Sequence, residues 1–154
     1  MKRVILKCGI IFLLTIHIFG QKGQDEVRIS AKNGDSVMIV GNNIKFEKKQ
    51  EFDDILFNEV MPAVLEYRDP DDEKHKLNEK SFDTWRIFRP TEMNEDSTWT
   101  FIVMADPFVD GSNYLIGEPL KQKFGEKGAG EIFERWSNCF KGVQSVFVVQ
   151  QSEY

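Results

Sequence analysis

The stretch "TWRIFRPTEMNEDSTWTFIVMADPF", Thr84 to Phe108, decides the fold of this chain. It predicts two β-strands joined by an acidic turn at Thr91–Asp96, because aromatic and β-branched residues flank a polar segment. A strand with one face in water alternates apolar and polar residues. Both strands here carry apolar residues on both faces, so each face of their sheet needs a cover.

The segments on either side of this hairpin complete the predicted order of strands and helices. Ser36–Phe46 is β-rich, and the apolar residues of Phe52–Tyr67 follow the spacing of a helix that Pro62 kinks. A second helical region covers Glu118–Phe140, and Val143–Gln151 is a strand. The order β-α-β-β-α-β predicts an α+β, ferredoxin-like fold, in which two helices cover one face of a four-stranded antiparallel sheet.

The second sheet face needs a different cover. At least three strands are apolar on both faces, which exceeds the few hundred Å² of apolar surface that soluble monomers usually expose. A second copy of the same sheet is the simplest cover, and burial of about 800 Å² per partner is an ordinary interface. We therefore expect a homodimer that forms through the face opposite the helices.

The first twenty residues have the pattern of a secretory signal. Three basic residues precede the apolar run Cys8–Phe19, and Gly20 is a small residue at which cleavage can occur. We expect a signal peptide over 1–20, a flexible lead-in over 21–35 and the folded domain over 36–151. The protein is then secreted or periplasmic, with no stable membrane insertion after cleavage. The alternative is an uncleaved N-terminal anchor.

Charge and cysteine content restrict the partners. Lys2, Arg3 and Lys7 are three of the 20 basic residues, so the chain after Gly20 has 17 basic and 25 acidic residues, a formal charge of −8. Such a surface repels nucleic acid and anionic membranes. Cys139 is the only cysteine after Gly20, so this part of the chain has no internal disulfide.

The sequence resembles the dimeric α/β-barrel superfamily, in particular small exported members related to antibiotic-biosynthesis monooxygenase-like and haem-degrading monooxygenase-like domains. The resemblance covers roughly 36–151. It rests on the element order and on three stretches: "KKQEFDDILFNEVMPAV", "TWRIFRP…TWTFIVMADPF" and "EPLKQKFGEKGAGEIFERW". It implies a cavity between sheet and helices, and none of the three stretches is a catalytic signature.

The haem-degrading members of the superfamily use an Asn, a His and a Trp around the haem. Asn42 or Asn43 and Trp85 match the first and last of these. The axial histidine of those proteins lies on a helix, whereas the charged segment Arg68–Ser81, which contains His75, is predicted to be a loop. The haem activity is therefore not carried over to this chain, and no cofactor is expected.

Five residues are candidates for ligand binding in the implied cavity: Trp85, Arg86, Trp99, Phe101 and Tyr114. Aromatic side chains suit a small apolar or aromatic ligand, although they also fill ordinary cores. A buried arginine needs an anionic partner, which for Arg86 is a ligand carboxylate or a protein carboxylate such as Glu92 or Asp106. Tyr114 and Asp106 are the candidates for general acid–base catalysis.

The sequence leaves two functions open. One is a homodimeric, non-catalytic or small-molecule-binding protein of the cell envelope. The other is a cofactor-independent monooxygenase or isomerase that acts on an aromatic or lipid-like substrate. No cluster of metal-ligating residues with a recognised spacing occurs, so no metal site is predicted.

Overall fold

The computed structural model describes residues 29–153, and four β-strands form its single sheet. The strands are β1 (Ser36–Lys45), β2 (Trp85–Phe88), β3 (Thr98–Ala105) and β4 (Ser145–Gln150). Their order across the sheet is β2-β3-β1-β4, and every neighbouring pair is antiparallel. The predicted ferredoxin-like arrangement is therefore confirmed, while dimerisation stays a prediction.

A nearly continuous helical segment follows β1. It consists of a 3₁₀ turn (Phe46–Lys48), α1 (Lys49–Ile55), a π-helical turn (Leu56–Val60) and α2 (Met61–Glu66). Pro62 is the second residue of α2, which begins directly after the π turn. Because proline has no N–H to donate, the altered hydrogen-bond pattern at this point lets the helical segment continue.

The helices cover one face of the sheet, which we call the inner face. Phe101 of β3 is fully buried and its ring lies 4.8 Å from that of Phe52 in α1. Phe52 also stacks on Trp136, at 4.4 Å between ring centroids. Trp136 belongs to α4 (Gly117–Cys139), so both connections pack on the same side of the sheet. This aromatic cluster is the centre of the hydrophobic core.

The opposite face, which we call the outer face, is also apolar. The register pairs Ile39 with Met104 on one side and with Phe147 on the other. The exposed fractions of Phe88, Phe147 and Val149 are 47%, 56% and 45%. The prediction that these strands are apolar on both faces therefore agrees with the structure, and the described residues of one chain leave much of the outer face open.

The segment predicted as a charged loop is largely a helix, so that prediction is wrong. Helix α3 (Asp72–Phe82) occupies it, and Asp71 caps its N-terminus by accepting hydrogen bonds from the backbone N–H groups of Glu73 and Lys74. The many charged side chains lie mostly on its exposed face, while Asn78 and Ser81 are buried. Two small polar side chains, and not an apolar stripe, therefore form the fully buried part of this highly charged helix.

Helix α4 contains a break at Gly125, whose φ of 71° lies in the left-handed region that favours glycine. No helix within residues 29–153 is both long and apolar enough to cross a membrane. The described residues do not include the predicted signal peptide (1–20), which contains Cys8. They also do not include residues 21–28 of the predicted lead-in.

Candidate functional site

A cavity of about 90 Å³ lies between the inner face of the sheet and the helices. β1, β2 and β3 form its floor, and the π turn, the start of α2 and the segment before α4 form its walls. Its lining side chains are mostly apolar: Met38, Val40, Asn42, Leu56, Val60, Met61, Trp85, Val103, Tyr114, Ile116, Trp136 and Gln144. This is the position that the resemblance implies for a ligand.

Two of the predicted binding residues, Trp85 and Tyr114, meet at this cavity. Their rings are nearly parallel, with an interplanar angle of 9° and 6.0 Å between centroids. The indole Nε1 of Trp85 is buried and has no hydrogen-bond partner among the described residues. An N–H group that is buried away from bulk solvent is costly unless an acceptor reaches it.

The hydroxyl group of Tyr114 is already engaged. It accepts a hydrogen bond from the backbone N–H of Val109 (2.9 Å) and donates one to the carbonyl oxygen of the same residue (3.2 Å). Burial raises the pKa of Tyr114. The phenol is therefore neutral near pH 7, and its hydrogen bonds fix the loop before α4 beside Trp85.

A second polar element of the cavity is the pair Asn42–Gln144. Asn42 is 1% exposed, and its Oδ1 accepts a hydrogen bond from Nε2 of Gln144 at 2.5 Å. Its Nδ2 donates to the backbone oxygen of Phe101 at 3.3 Å. The pair ties the middle of β1 to the residue just before β4.

None of the described residues that line the cavity carries a formal charge. Across residues 29–153, no group of three or more His, Cys, Asp or Glu side chains is placed to hold a metal ion. An ionised ligand buried here would have no counter-charge from these residues, which is strongly unfavourable. The described lining therefore favours a neutral ligand.

The volume limits what fits. A water molecule occupies about 30 Å³ in the liquid, and a cavity of about 150 Å³ is known to take up benzene. A space of 90 Å³ holds only a few heavy atoms unless its walls move. Met38 and Met61 supply flexible walls, because methionine adapts its shape readily.

The other aromatic candidates do not line the cavity. Phe101 is part of the packed core next to Phe52. Trp99 lies at the far end of β3, where its Nε1 donates to the backbone oxygen of Phe46 (3.2 Å) and its ring faces the ammonium group of Lys49 at 4.0 Å. The two tryptophans of the opening hairpin thus have different environments.

Arg86 and Asp106 lie on the outer side of the sheet. Nε of Arg86 contacts Oδ2 of Asp106 at 3.1 Å, with side-chain exposures of 13% and 17%. The guanidinium also donates to the backbone oxygen of Ile29, and Asp106 accepts from the backbone N–H of Ala31. This ion pair clamps the end of the lead-in, and neither side chain lines the cavity.

His75 lies in helix α3, not in a loop. It borders a separate groove of about 270 Å³ with Tyr67, Arg68 and Glu79, among other residues. The histidine is therefore outside the cavity that holds Trp85.

Sequence reasoning did not identify Gln144, Met38 or Met61 as site residues. The sequence does indicate that Asn42 is a special position, because an amide between Val40 and Ile44 on the same face of a strand must find a buried hydrogen-bond partner. The position of that partner, 102 residues away, has no local signature. The methionines resemble any other core residue in the sequence.

No protein-family model and no curated protein matches the sequence. Two similar solved structures are a conserved protein from Methanosarcina mazei Go1 and a candidate antibiotic biosynthesis monooxygenase from Caulobacter crescentus CB15. The first is 16% identical with a TM-score of 0.38, and the match covers 77% of this chain and 94% of that one. The second is 10% identical with a TM-score of 0.39, and the match covers 79% and 92%.

Proposed function

We propose that this protein is an exported, homodimeric binding protein for a small, neutral and mainly apolar molecule that carries a hydrogen-bond acceptor. The observation that carries the proposal is that Trp85, whose buried indole N–H has no partner among the described residues, lines a cavity whose described lining is uncharged. The ligand binds between the sheet and the helices, with its acceptor at this N–H group.

The chemistry of the indole defines the ligand's polar group. Trp Nε1 is a donor only, so it selects an acceptor such as a carbonyl oxygen and gains nothing from a ligand donor. Leaving such a group unpaired costs about 1–3 kcal/mol, which a matching ligand would recover on binding. A carboxylate would supply an acceptor too, but it would bring a charge that the described lining does not balance.

Binding is favoured over catalysis because of where the two acid–base candidates lie. Tyr114 has a raised pKa and both of its hydroxyl contacts are used. Asp106 is paired with Arg86 on the other side of the sheet. The described lining therefore offers no evident general base for a monooxygenase or isomerase reaction.

The homodimer is supported by the outer face. Its apolar side chains include Ile39, Phe88, Ile102, Met104, Phe147 and Val149. Residues 21–28, "QKGQDEVR", are mostly polar and so are a poor cover for it. A second copy offers the same apolar surface, and an ordinary interface gives a gross apolar gain on the order of 20 kcal/mol before association costs.

Export is proposed on the sequence of the first twenty residues. N-terminal sequencing of the protein recovered from its natural compartment tests it. We expect a start near Gln21; a mature chain that still begins with Met1 would contradict the cleavage.

The ligand-binding proposal is tested with the variant Trp85→Phe and two probes, a short methyl ketone and the alkane of equal length. We expect the variant to weaken ketone binding about fivefold, which corresponds to one hydrogen bond of about 1 kcal/mol. Alkane binding should change less. Trp99→Phe is the matched control, because Trp99 does not line the cavity. Equal losses for both probes would mean that the indole contributes packing only.

The dimer is tested by light scattering on Ile102→Glu, which places a charge in the middle of the outer face. We expect a monomer, because a buried charge without a partner is strongly unfavourable. Phe133→Glu is the control, since Phe133 is an exposed apolar residue of α4, away from the sheet. A wild-type protein that is monomeric at micromolar concentration would overturn the homodimer.

A further inference from the structure

The inner face of β4 carries an exposed apolar strip that begins at the cavity. Val146 and Val148 are each 58% exposed and pair with Val40 and Met38 of β1. Directly opposite residues in an antiparallel pair share one face of the sheet. Val40 and Met38 line the cavity, so the two exposed valines continue the same sheet face from the cavity to the edge of the sheet, although they are not part of the lining themselves.

The ends of this strip are polar. Gln144, just before β4, lies in the cavity wall, and Gln150 closes the other end by donating to the backbone oxygen of Gly34. All six residues of β4 are exposed, so the helices leave the strip uncovered. At about 3.4 Å per residue, the distance from Gln144 to Gln150 is roughly 20 Å.

We propose that the ligand is chain-shaped, with its acceptor end at Trp85 and an apolar tail that leaves the cavity along the inner face of β4. This inference rests on the proposed binding function and specifies the class of ligand. A cavity of about 90 Å³ is smaller than the space that a single benzene ring is known to fill, so fused ring systems do not fit it as it stands. A linear neutral molecule fits, because its narrow head occupies the cavity while the strip covers its tail.

The strip is assigned to the ligand and not to the second copy for a geometric reason. The proposed dimer forms through the outer face, where Phe147 and Val149 point. Val146 and Val148 point to the opposite side of the same strand. A partner that packs face to face on the outer side would leave them uncovered.

A homologous series of linear methyl ketones tests the inference with the full-length mature protein. Each added methylene that lies on the strip should lower the dissociation constant about twofold, because the open strip buries only one side of it, and the gain should stop when the tail passes Val148. A compact bicyclic ketone with the same number of carbon atoms serves as the comparison and should bind more weakly than the linear probe.

The outcomes separate the two proposals. Binding of both shapes with no dependence on chain length would overturn the chain-shaped ligand and leave the binding function standing. Failure of every ketone to bind would overturn the binding function, and the inference with it.

The variant Val146→Ser sharpens the test. It should reduce the affinity gain per methylene for the longer ketones while the shortest ketone binds as before. Val143→Ser is the matched control, because Val143 is 89% exposed and lies outside the strand. If Val146→Ser instead weakened the dimer and left the chain-length dependence unchanged, the strip would be a protein contact and the inference would be wrong.

Discussion

The two faces of the sheet both carry large apolar side chains but have different surroundings. Phe101 and Ile102 are neighbours in β3, yet Phe101 is fully buried under Phe52 while Ile102 lies on the outer face and is only partly covered. The inner face is apolar because this chain folds onto it. The outer face also carries several large apolar side chains, and the described residues of the same chain leave it largely open.

The difference shows that hydrophobic patterning indicates burial without identifying the partner. An inner-face residue contributes to the stability of a single chain. An outer-face residue contributes mainly when something else covers it, which we propose is a second copy. Substitutions on the two faces should therefore differ in how their effects depend on protein concentration.

The largest effect is expected for Phe101→Ala on the inner face. Removal of a fully buried phenylalanine should lower the free energy of unfolding by about 3–5 kcal/mol. Ile102→Ala should instead shift the urea midpoint chiefly where the protein is dimeric, and its effect should shrink on dilution. Urea unfolding at several protein concentrations checks both. If Ile102→Ala lowered the stability of the monomer as much as that of the dimer, the proposed distinction between the two faces would be wrong.

An intermediate effect is expected for Arg86→Ala, which removes the clamp at the margin of the outer face. The guanidinium bonds both Asp106 and the backbone oxygen of Ile29, so its loss should cost about 2 kcal/mol of stability. A double-mutant cycle with Asp106→Ala should show coupling between the two sites. Ketone affinity should be unchanged, and a marked loss of affinity would show that Arg86 acts on the ligand.

The smallest effect is expected at Asp71, the cap of the helix that contacts Trp85 through Phe82. Hydrogen bonds from the backbone N–H groups of Lys74 and Glu73 lower the pKa of its carboxyl group. Its stabilising contribution is therefore complete above the unfolded value of about 3.9 and is lost as pH falls through the lower folded value.

Thermal unfolding from pH 7 to pH 2 measures this contribution. Asp71→Asn keeps a capping side chain but does not titrate, so the difference from wild type should change over the acid range. Asp71→Ala should be less stable than both at neutral pH. A parallel pH profile for wild type and Asp71→Asn would contradict the role of the charged cap.

The sequence predicts the sheet better than the helix layer. Side chains alternate between the two faces along any strand, so the sequence alone shows that Trp85–Phe88 and Thr98–Ala105 carry apolar residues on both faces. Helix α3 was missed because its charged residues dominate its composition, whereas the cap at Asp71 and a few buried contacts decide its conformation. The hydrogen bonds of the Asp71 cap and the contacts of buried polar residues such as Asn78 thus hold this helix, and neither has a hydrophobic pattern in the sequence.

The candidate site was predictable only in part. Trp85 and Trp99 each begin a strand of the same hairpin, and nothing local distinguishes the unpartnered indole from the one bonded to Phe46. The difference arises from the loop that carries Tyr114 and from the 3₁₀ turn, which approach the sheet only in the folded chain. The pair Asn42–Gln144 depends likewise on strand pairing between the two ends of the domain.

The π turn at Leu56–Val60 determines which side chains reach the cavity. Leu56 and Met61 are five positions apart, a spacing that a regular α-helix rotates to different sides, yet both line the same space. Loss of one residue from this turn would restore the α-helical phase and rotate every later residue of the helical segment by about 100°. The number of residues in this turn, and not only the chemistry of their side chains, thus sets the shape of the cavity.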